Sequence, residues 1–422
     1  MRLLSYQSPH IRQRIQQLNP YTHPSINNTH YIASGDTCGI IYIWSLVTRR
    51  SIIIYNINEQ STIDPTIKHI KQITNTNNNE LNGILSIHWI QHNELIIQCK
   101  IGIILHYTID YSNKIFTLQH RIHTHQYSFC KCTIDIANNI LYSTGDNASI
   151  LYMYDLNTYT LINKLQCEKL KEQTKVSVID ETDDTNDNEI NEPTDKTYGM
   201  IMYIHILPHH TSYIICGMES GHINMYDIKT KQCIQSYKSH NDPVMSISIQ
   251  SNPNNTQQYT LLSCSAGSSV VELSIDMSCI EQCKHISDNT VLQYVNHITQ
   301  PQSHTGISDV SIRHDLAVYG TACWDYHIRL YRMSDHTLLC TLHYHTQHVY
   351  CITFMDTIPQ YAELGIIITG SKDGKIAVWQ LYNNKRLSIT PDTNNSMLFK
   401  PQSRLRSSVQ FDTMLQQQLL QS

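Results

Sequence analysis

The feature that most constrains this chain is a strand-turn-strand frame that recurs along it. Its sharpest copy is the stretch from Leu364 to Tyr382, LGIIITGSKDGKIAVWQLY. Ile366, Ile367, Ile368 and Thr369 form a β-branched run, Ser371-Lys372-Asp373-Gly374 is a turn cluster whose glycine tolerates positive φ, and Lys375 to Trp379 resumes a strand. Thr369 stands ten residues before Trp379. The same spacing returns as Ser34 and Trp44, Thr144 and Tyr154, Cys216 and Tyr226, and Thr321 and Tyr331, and in degraded form as Ile97 and Tyr107 and as Cys264 and Ser274. Seven hairpins in steps of 47 to 72 residues are what radially packed four-stranded sheets with insertions leave in a sequence. The expected fold is all-β, a seven-bladed β-propeller.

At about 40 to 45 residues per blade, seven blades use roughly three quarters of the chain as one ring, so one large domain is preferred to two or three average ones. Residues 1–382 form that domain, with three polar surface insertions at about 58–81, 167–197 and 279–301, and 383–422 form a polar tail. The first insertion is Asn-rich. The second carries eight acidic residues and no basic one between Asp180 and Asp195, a self-repelling run that reads as a solvated loop or as an acidic docking strip. Ile, Asn, Tyr and Thr are overused in the manner of AT-rich coding sequence, so the Asn tracts carry little functional information. Met1 to Tyr6 (MRLLSY) fits an outer strand that joins the last blade and closes the ring, which removes two unpaired sheet edges. His10 to Leu18 reads as the inner strand of the first blade, although Ile11, Ile15 and Leu18 also fit a helical stripe. FCKCTID, Phe129 to Asp135, reads as the inner strand of the third.

Composition narrows the function classes. A formal charge of −5 argues against a surface built to neutralise nucleic-acid phosphates. Thirteen cysteines, an odd number with no apolar leader before them, suit a reduced compartment, nuclear or cytosolic. No window approaches 18 consecutive apolar residues, so no membrane partner is expected.

Blade 7 holds a complete polar set: His345 before the inner strand, Thr369 in the next, Asp373 in the turn and Trp379 after it. These four resemble the structural tetrad of WD-repeat proteins. A buried imidazole needs partners for both nitrogens, and a turn carboxylate with a neighbouring hydroxyl supplies them while the indole N–H finds the hydroxyl. The triad-like chemistry is therefore read as structural, and no catalytic residue is assigned. His304, Thr321, Asp325 and Tyr331 repeat the set in blade 6, and Ser34 with Trp44 repeat part of it in blade 1. His343, His345 and His348 invite a metal reading, but His345 is already engaged. Cys130 and Cys132 lack a second pair at zinc-finger spacing, and GIIITGSKDGK lacks the phosphate-loop pattern and its helix. No metal or cofactor is expected. Arg49 and Arg50, just beyond a blade strand, are candidates for contact with an acidic partner surface, with a solvated strand end as the plain alternative.

Three stretches go further than a generic repeat. SGDTCGIIYIWSLVTRRSI (Ser34 to Ile52), GISDVSIRHDLAVYGTACWDYHIRLYR (Gly306 to Arg332) and ITGSKDGKIAVWQLY (Ile368 to Tyr382) resemble blade 1 and the last two blades of the ASTRA-associated protein 1 family, whose animal relatives are called guanine nucleotide-binding protein beta-like protein 1. GMIMYIHIL with CGMESGHINMYDI (Gly199 to Ile228) adds to the resemblance, and the insertions and tail depart from it. The resemblance implies a non-enzymatic scaffold subunit of the nuclear ASTRA complex, tied to chromatin remodelling and to maturation of phosphatidylinositol-kinase-related kinases. The implied partners are kinase-maturation cochaperones, RuvB-like ATPases and a kinase-related subunit. The rival interaction reading is a substrate receptor of a cullin-type ubiquitin ligase. Such receptors often carry WD-x-Arg at a blade end, where this chain has Tyr154-Asp155-Leu156-Asn157 and Trp324-Asp325-Tyr326-His327. A propeller hydrolase would need a convergent pocket of titrating groups, and the sequence marks none. Asp373→Ala should lower stability by about 2 kcal/mol by stranding His345, whereas Asp187→Ala in the acidic run should leave the thermal midpoint unchanged. Equal effects in thermal melts would overturn the division into network and loop.

Overall fold

The computed structural model describes residues 2–7, 15–22, 30–45, 50–57, 83–126, 128–167, 198–282, 291–299, 306–355 and 365–381. They form seven four-stranded antiparallel sheets. Blade 1 is β2 (Ile15–Thr22), β3 (His30–Asp36), β4 (Ile40–Ser45) and β5 (Arg50–Asn56), from the axis outward. Blade 2 is β6 (Ile84–Gln91) to β9 (Ile115–His123), blade 3 is β10 (Thr133–Asp135) to β13 (Leu161–Gln166), and blade 4 is β14 (Ile201–Ile206) to β17 (Gln232–Lys238). Blade 5 is β18 (Val244–Asn252), β19 (Asn255–Ser265), β20 (Ser269–Asp276) and β21 (Leu292–Thr299), and blade 6 is β22 (Ile307–Ile312) to β25 (Leu338–Leu342). Blade 7 combines both ends of the chain: β26 (Val349–Phe354), β27 (Ile366–Ser371), β28 (Lys375–Gln380) and, outermost, β1 (Arg2–Gln7). The pairing of β1 runs without a break from Arg2 opposite Gln380 to Gln7 opposite Lys375.

The period of two along each strand explains why these sheets stack in a ring. On β4, Ile41 and Ile43 face blade 2, where they join Ile84, Ile87 and Leu95. The intervening Tyr42 and Trp44 face blade 7, where they join Cys351, Ile368 and Val378. Both faces of a blade are thus apolar, and the strands read as near-continuous hydrophobic runs. Five further apolar clusters fill the remaining blade-to-blade interfaces. Each buried Ile or Leu contributes about 1.5–3 kcal/mol. The residue that closes each hairpin frame always packs on the preceding blade: Trp44 on blade 7, Tyr154 on blade 2, Tyr226 on blade 3 and Trp379 on blade 6.

Two register shifts recur. One precedes the frame's closing residue on the third strand, at Ile43/Trp44, His106/Tyr107, Met153/Tyr154, Met225/Tyr226 and Leu330/Tyr331. The other lies at the start of the inner strand, at Ile84/Ser86, Ile201/Tyr203, Val244/Ser246, Ile307/Asp309 and Val349/Cys351. A bulge of this second kind leaves one residue without a partner and re-aims its side chain.

Several expectations change. The inner strand of blade 1 is Ile15–Thr22 rather than His10 to Leu18, because it must reach Asp36 and His30 across β3. Of FCKCTID only Thr133–Asp135 pairs as strand. Segment 130–132 is held instead by glutamines: Gln98 and Gln126 amides donate to the Cys130 carbonyl at 3.1 and 2.7 Å, and the Cys132 N–H donates to Gln98 Oε1 at 2.7 Å. The insertion expected at 279–301 contains a strand of the fold, Leu292–Thr299, after a helical turn at Ser278–Gln282. Only Leu292 of that strand is buried, so its outer position left no apolar alternation to read. The insertions at 58–81 and 167–197 lie outside the described residues apart from Cys167, which is buried. The tail 383–422 lies outside them entirely.

Deleting residues 1–7 should destabilise the protein by on the order of 3 kcal/mol or more, since β28 loses its outer partner and exposes an edge. The check is a denaturant melt with size-exclusion chromatography. A truncated chain that melts like the full one and stays monomeric would contradict closure by β1.

Candidate interaction surface

Blade 7 shows how a frame is held. Nε2 of His345 lies 2.9 Å from Thr369 Oγ1, which accepts the Trp379 indole N–H at 3.0 Å. Nδ1 of His345 lies 3.2 Å from Asp373 Oδ2. With its proton on Nδ1, the imidazole donates to the carboxylate and accepts from the threonine hydroxyl, so each link has a donor and an acceptor. Asp373 also accepts the Thr346 and Lys375 backbone N–H groups, both at 3.0 Å. Burial alone would raise this carboxyl, but the bonds from His345 and the two amides hold it below the usual carboxylate range.

Other blades keep the place and change the chemistry. In blade 1 the Trp44 indole donates to Ser34 Oγ at 2.8 Å. In blade 5 His240 meets only hydroxyls, Ser263 Oγ at 2.9 Å from Nε2 and Ser269 Oγ at 3.2 Å from Nδ1. In blade 3 Gln126 takes the histidine's place, accepting from Ser143 Oγ at 3.0 Å and from the Gln98 amide at 2.8 Å. The frames in blades 3 and 5 therefore begin at Ser143 and Ser263, not at Thr144 and Cys264. Blade 3 has a hairpin turn one residue longer. In blade 5 the closing residue is Leu273, which follows the recurrent bulge and packs on blade 4; a search for an aromatic passes over it. In blade 6 Asp325 is taken by Arg329, with Nη1 at 3.1 Å and Nη2 at 2.5 Å. Tyr331 stacks on Tyr319, and neither hydroxyl has a partner among the described residues. Thr321 is buried on β23 (Val318–Cys323), and His304 lies outside the described residues.

The groups singled out for metal chemistry go separate ways. His345 turns to Asp373 and Thr369, His343 packs edge-on to His327 at 4.4 Å between ring centres, and His348 stacks on Trp324 at 6.1 Å. Cys130 and Cys132 are buried, and burial pushes both thiols up, Cys132 to about 12.

What the blades expose is a concave mouth of about 370 Å³ at the start of the inner strands. The extra residue of five inner-strand bulges lines it: Leu85, Met202, Met245, Ser308 and Tyr350. Phe129 and Lys131 complete it from the irregular segment of blade 3, and Trp324 and His348 from loops of blades 6 and 7. Nothing in a one-dimensional pattern marks these positions, because the bulge arises from the register of two strands. Arg50 lies elsewhere. It is exposed at the start of β5 opposite Ser45, at the end of the blade away from the mouth; Arg49 lies outside the described residues.

Burial sets a pH dependence. It pushes His240 and His88 down to about 4, so both are neutral in the fold and charged in the unfolded chain below its ordinary value of about 6.5. Their contribution is complete above pH 6.5 and is lost as pH falls toward 4; Asp373, held low, loses its own only below the usual carboxylate range. Thermal melts across pH should show stability falling by about 2–3 kcal/mol per buried histidine over that window. His240→Gln, using the residue blade 3 carries there, should flatten part of the slope; an unchanged slope would remove His240 from the account.

Comparison with known proteins agrees with this architecture. Residues 168–282 match the family model described as LRRK2 beta propeller, and residues 336–380 match the WD domain, G-beta repeat. The mouse guanine nucleotide-binding protein subunit beta-like protein 1 is 30% identical over 169 residues, covering 40% of this chain and 44% of that protein. ASTRA-associated protein 1 of Schizosaccharomyces pombe is 25% identical over 203 residues, covering 44% and 48%, and that of Schizosaccharomyces japonicus is 26% identical over 182 residues, covering 40% and 44%. These matches span less than half the length of each relative. The chain is a seven-bladed WD-repeat β-propeller that resembles ASTRA-associated protein 1 and guanine nucleotide-binding protein subunit beta-like protein 1.

Proposed function

We propose that this propeller is a non-enzymatic interaction platform, a scaffold subunit of an ASTRA-type assembly acting in the nucleus in chromatin remodelling and in maturation of phosphatidylinositol-kinase-related kinases. The observation that carries the platform reading is the fate of the triad-like side chains. His345, Thr369 and Asp373 are consumed in holding blade 7 together and are buried. A hydrolytic reading needs the hydroxyl open to a substrate beside an oxyanion site. The matched families are propellers, and no enzymatic family is among them. A rigid ring that presents loops on two faces binds through loop chemistry rather than through moving parts. The assembly is suggested by the names of the relatives.

The test is co-purification of the tagged full chain from nuclear and cytosolic extracts at low and high salt, read by mass spectrometry. Recovery of RuvB-like ATPases, kinase-maturation cochaperones and a large kinase-related subunit from the nuclear fraction is expected. A cullin adaptor in their place would make the chain a ligase receptor. Replacing Arg49 and Arg50 by Glu should change stability by less than about 0.5 kcal/mol while reducing recovery of partners at low salt. Undiminished recovery would leave those arginines as a solvated strand end.

A further inference from the structure

The mouth has a composition that selects among partners. Its walls are apolar and aromatic, from Leu85, Met202 and Met245 on the inner strands to Trp324 and Tyr350. Phe129 stands at it 72% exposed, an uncommon position for a phenylalanine that no described residue covers. Trp324 is kept in place by His348, whose ring lies 10° from parallel to the indole. The walls hold one full charge, the Lys131 ammonium, which has no hydrogen bond or ion pair with any described residue.

Two further observations concern the floor. Ser308 is only 9% exposed, lines the mouth, and its hydroxyl reaches no partner among the described residues. A buried hydroxyl left unpaired costs about 1–3 kcal/mol, and because this oxygen is closed to solvent, it meets a ligand in the mouth by rotating about χ1. Burial raises the neighbouring Asp309 carboxyl and the charge of Lys131 lowers it, so the two attract each other, but Asp309 is not itself a ligand group. It lies outside the lining, and its oxygens already accept from Ser246 Oγ at 2.6 Å and from the backbone N–H groups of Val310 at 3.1 Å and Ile352 at 3.0 Å.

We propose that the mouth is a docking site for a partner protein's peptide segment in which a side-chain carboxylate adjoins an aromatic or large aliphatic side chain. The carboxylate pairs with Lys131, joined by the Ser308 hydroxyl once it turns about χ1, and the apolar group enters between Tyr350, Trp324 and the two methionines. A volume near 370 Å³ lies at the small end of ligand pockets and suits one or two side chains rather than a folded surface. Methionines let such a wall adapt to different apolar shapes. A cationic residue in the same segment is disfavoured by Lys131, which makes the site selective by sign as well as by shape. The inference rests on the platform reading, and it assigns the kind of segment this face accepts.

The experiment titrates the isolated full chain with short acetylated and amidated Gly/Ser peptides carrying a central Asp-Phe, Asn-Phe, Lys-Phe or Asp-Ala pair, followed by calorimetry and by indole fluorescence. Asp-Phe should bind about tenfold or more tighter than the other three, with the preference over Asn-Phe shrinking as salt is raised. Lys131→Glu should reverse the order in favour of Lys-Phe. Trp324→Ala should weaken Asp-Phe and Asn-Phe alike. Lys131 makes no internal hydrogen bond but its charge attracts the buried Asp309, so Lys131→Gln, which cannot repel that carboxylate, is melted and titrated beside Lys131→Glu, which separates lost binding from lost fold. Equal binding of Asp-Phe and Asn-Phe, an unaltered order in Lys131→Glu, or absence of binding at millimolar peptide would each overturn the proposal. So would binding that requires a free C-terminal carboxylate, which would make the mouth a chain-end receptor. If the peptides fail while partner proteins still co-purify, the mouth assignment falls and the platform stands. If Asp-Phe binds through Lys131 while no assembly is recovered, the reverse holds.

Discussion

No blade of this protein can bury its hydrophobic residues alone. Each sheet is apolar on both faces, with Ile41 and Ile43 turned to one neighbour and Tyr42 and Trp44 to the other, so stability requires that every blade have two neighbours. Only a closed ring provides that, and the ring closes through β1 on β28 together with the cluster between blades 7 and 1. Contacts between the first and last parts of the chain are thus a condition for the interior to be dry.

Within that condition the polar chemistry is variable. The loop ahead of the inner strand carries histidine in blades 5 and 7 and glutamine in blade 3, and its partners range from a carboxylate to hydroxyls and an amide. What persists in blades 3, 5 and 7 is that the buried side chain at this place finds counterparts, the requirement that low-dielectric interiors impose. Persistence of the requirement without persistence of the residues is why this chain keeps the fold while departing from the full set in most blades.

That variability also decides what could be read without coordinates. Thr369, Asp373 and Trp379 stood out because a β-branched run, a glycine turn and an aromatic coincide there. Ser34 with Trp44 was legible for the same reason. Ser263 with Leu273 was not, since a ten-residue rule seeking an aromatic lands one residue late when the aromatic is a leucine. The strand Leu292–Thr299 reads in sequence as an insertion because outer strands face solvent and lose the apolar alternation. The mouth was invisible for a deeper reason. Ser308 and Tyr350 are ordinary residues at ordinary places in the sequence, and only the offset between paired strands makes them face the axis.

The inner-strand bulge has an evolutionary consequence. Because the bulged residue is excluded from the ladder and the framework around it is fixed by its neighbours, it is free to mutate with little penalty to the scaffold. Five of the blades that carry such a bulge each contribute one position of this kind to the rim of a common cavity. Binding preference can therefore drift one blade at a time, a modular route to new partners that a smooth, unbulged barrel would not offer.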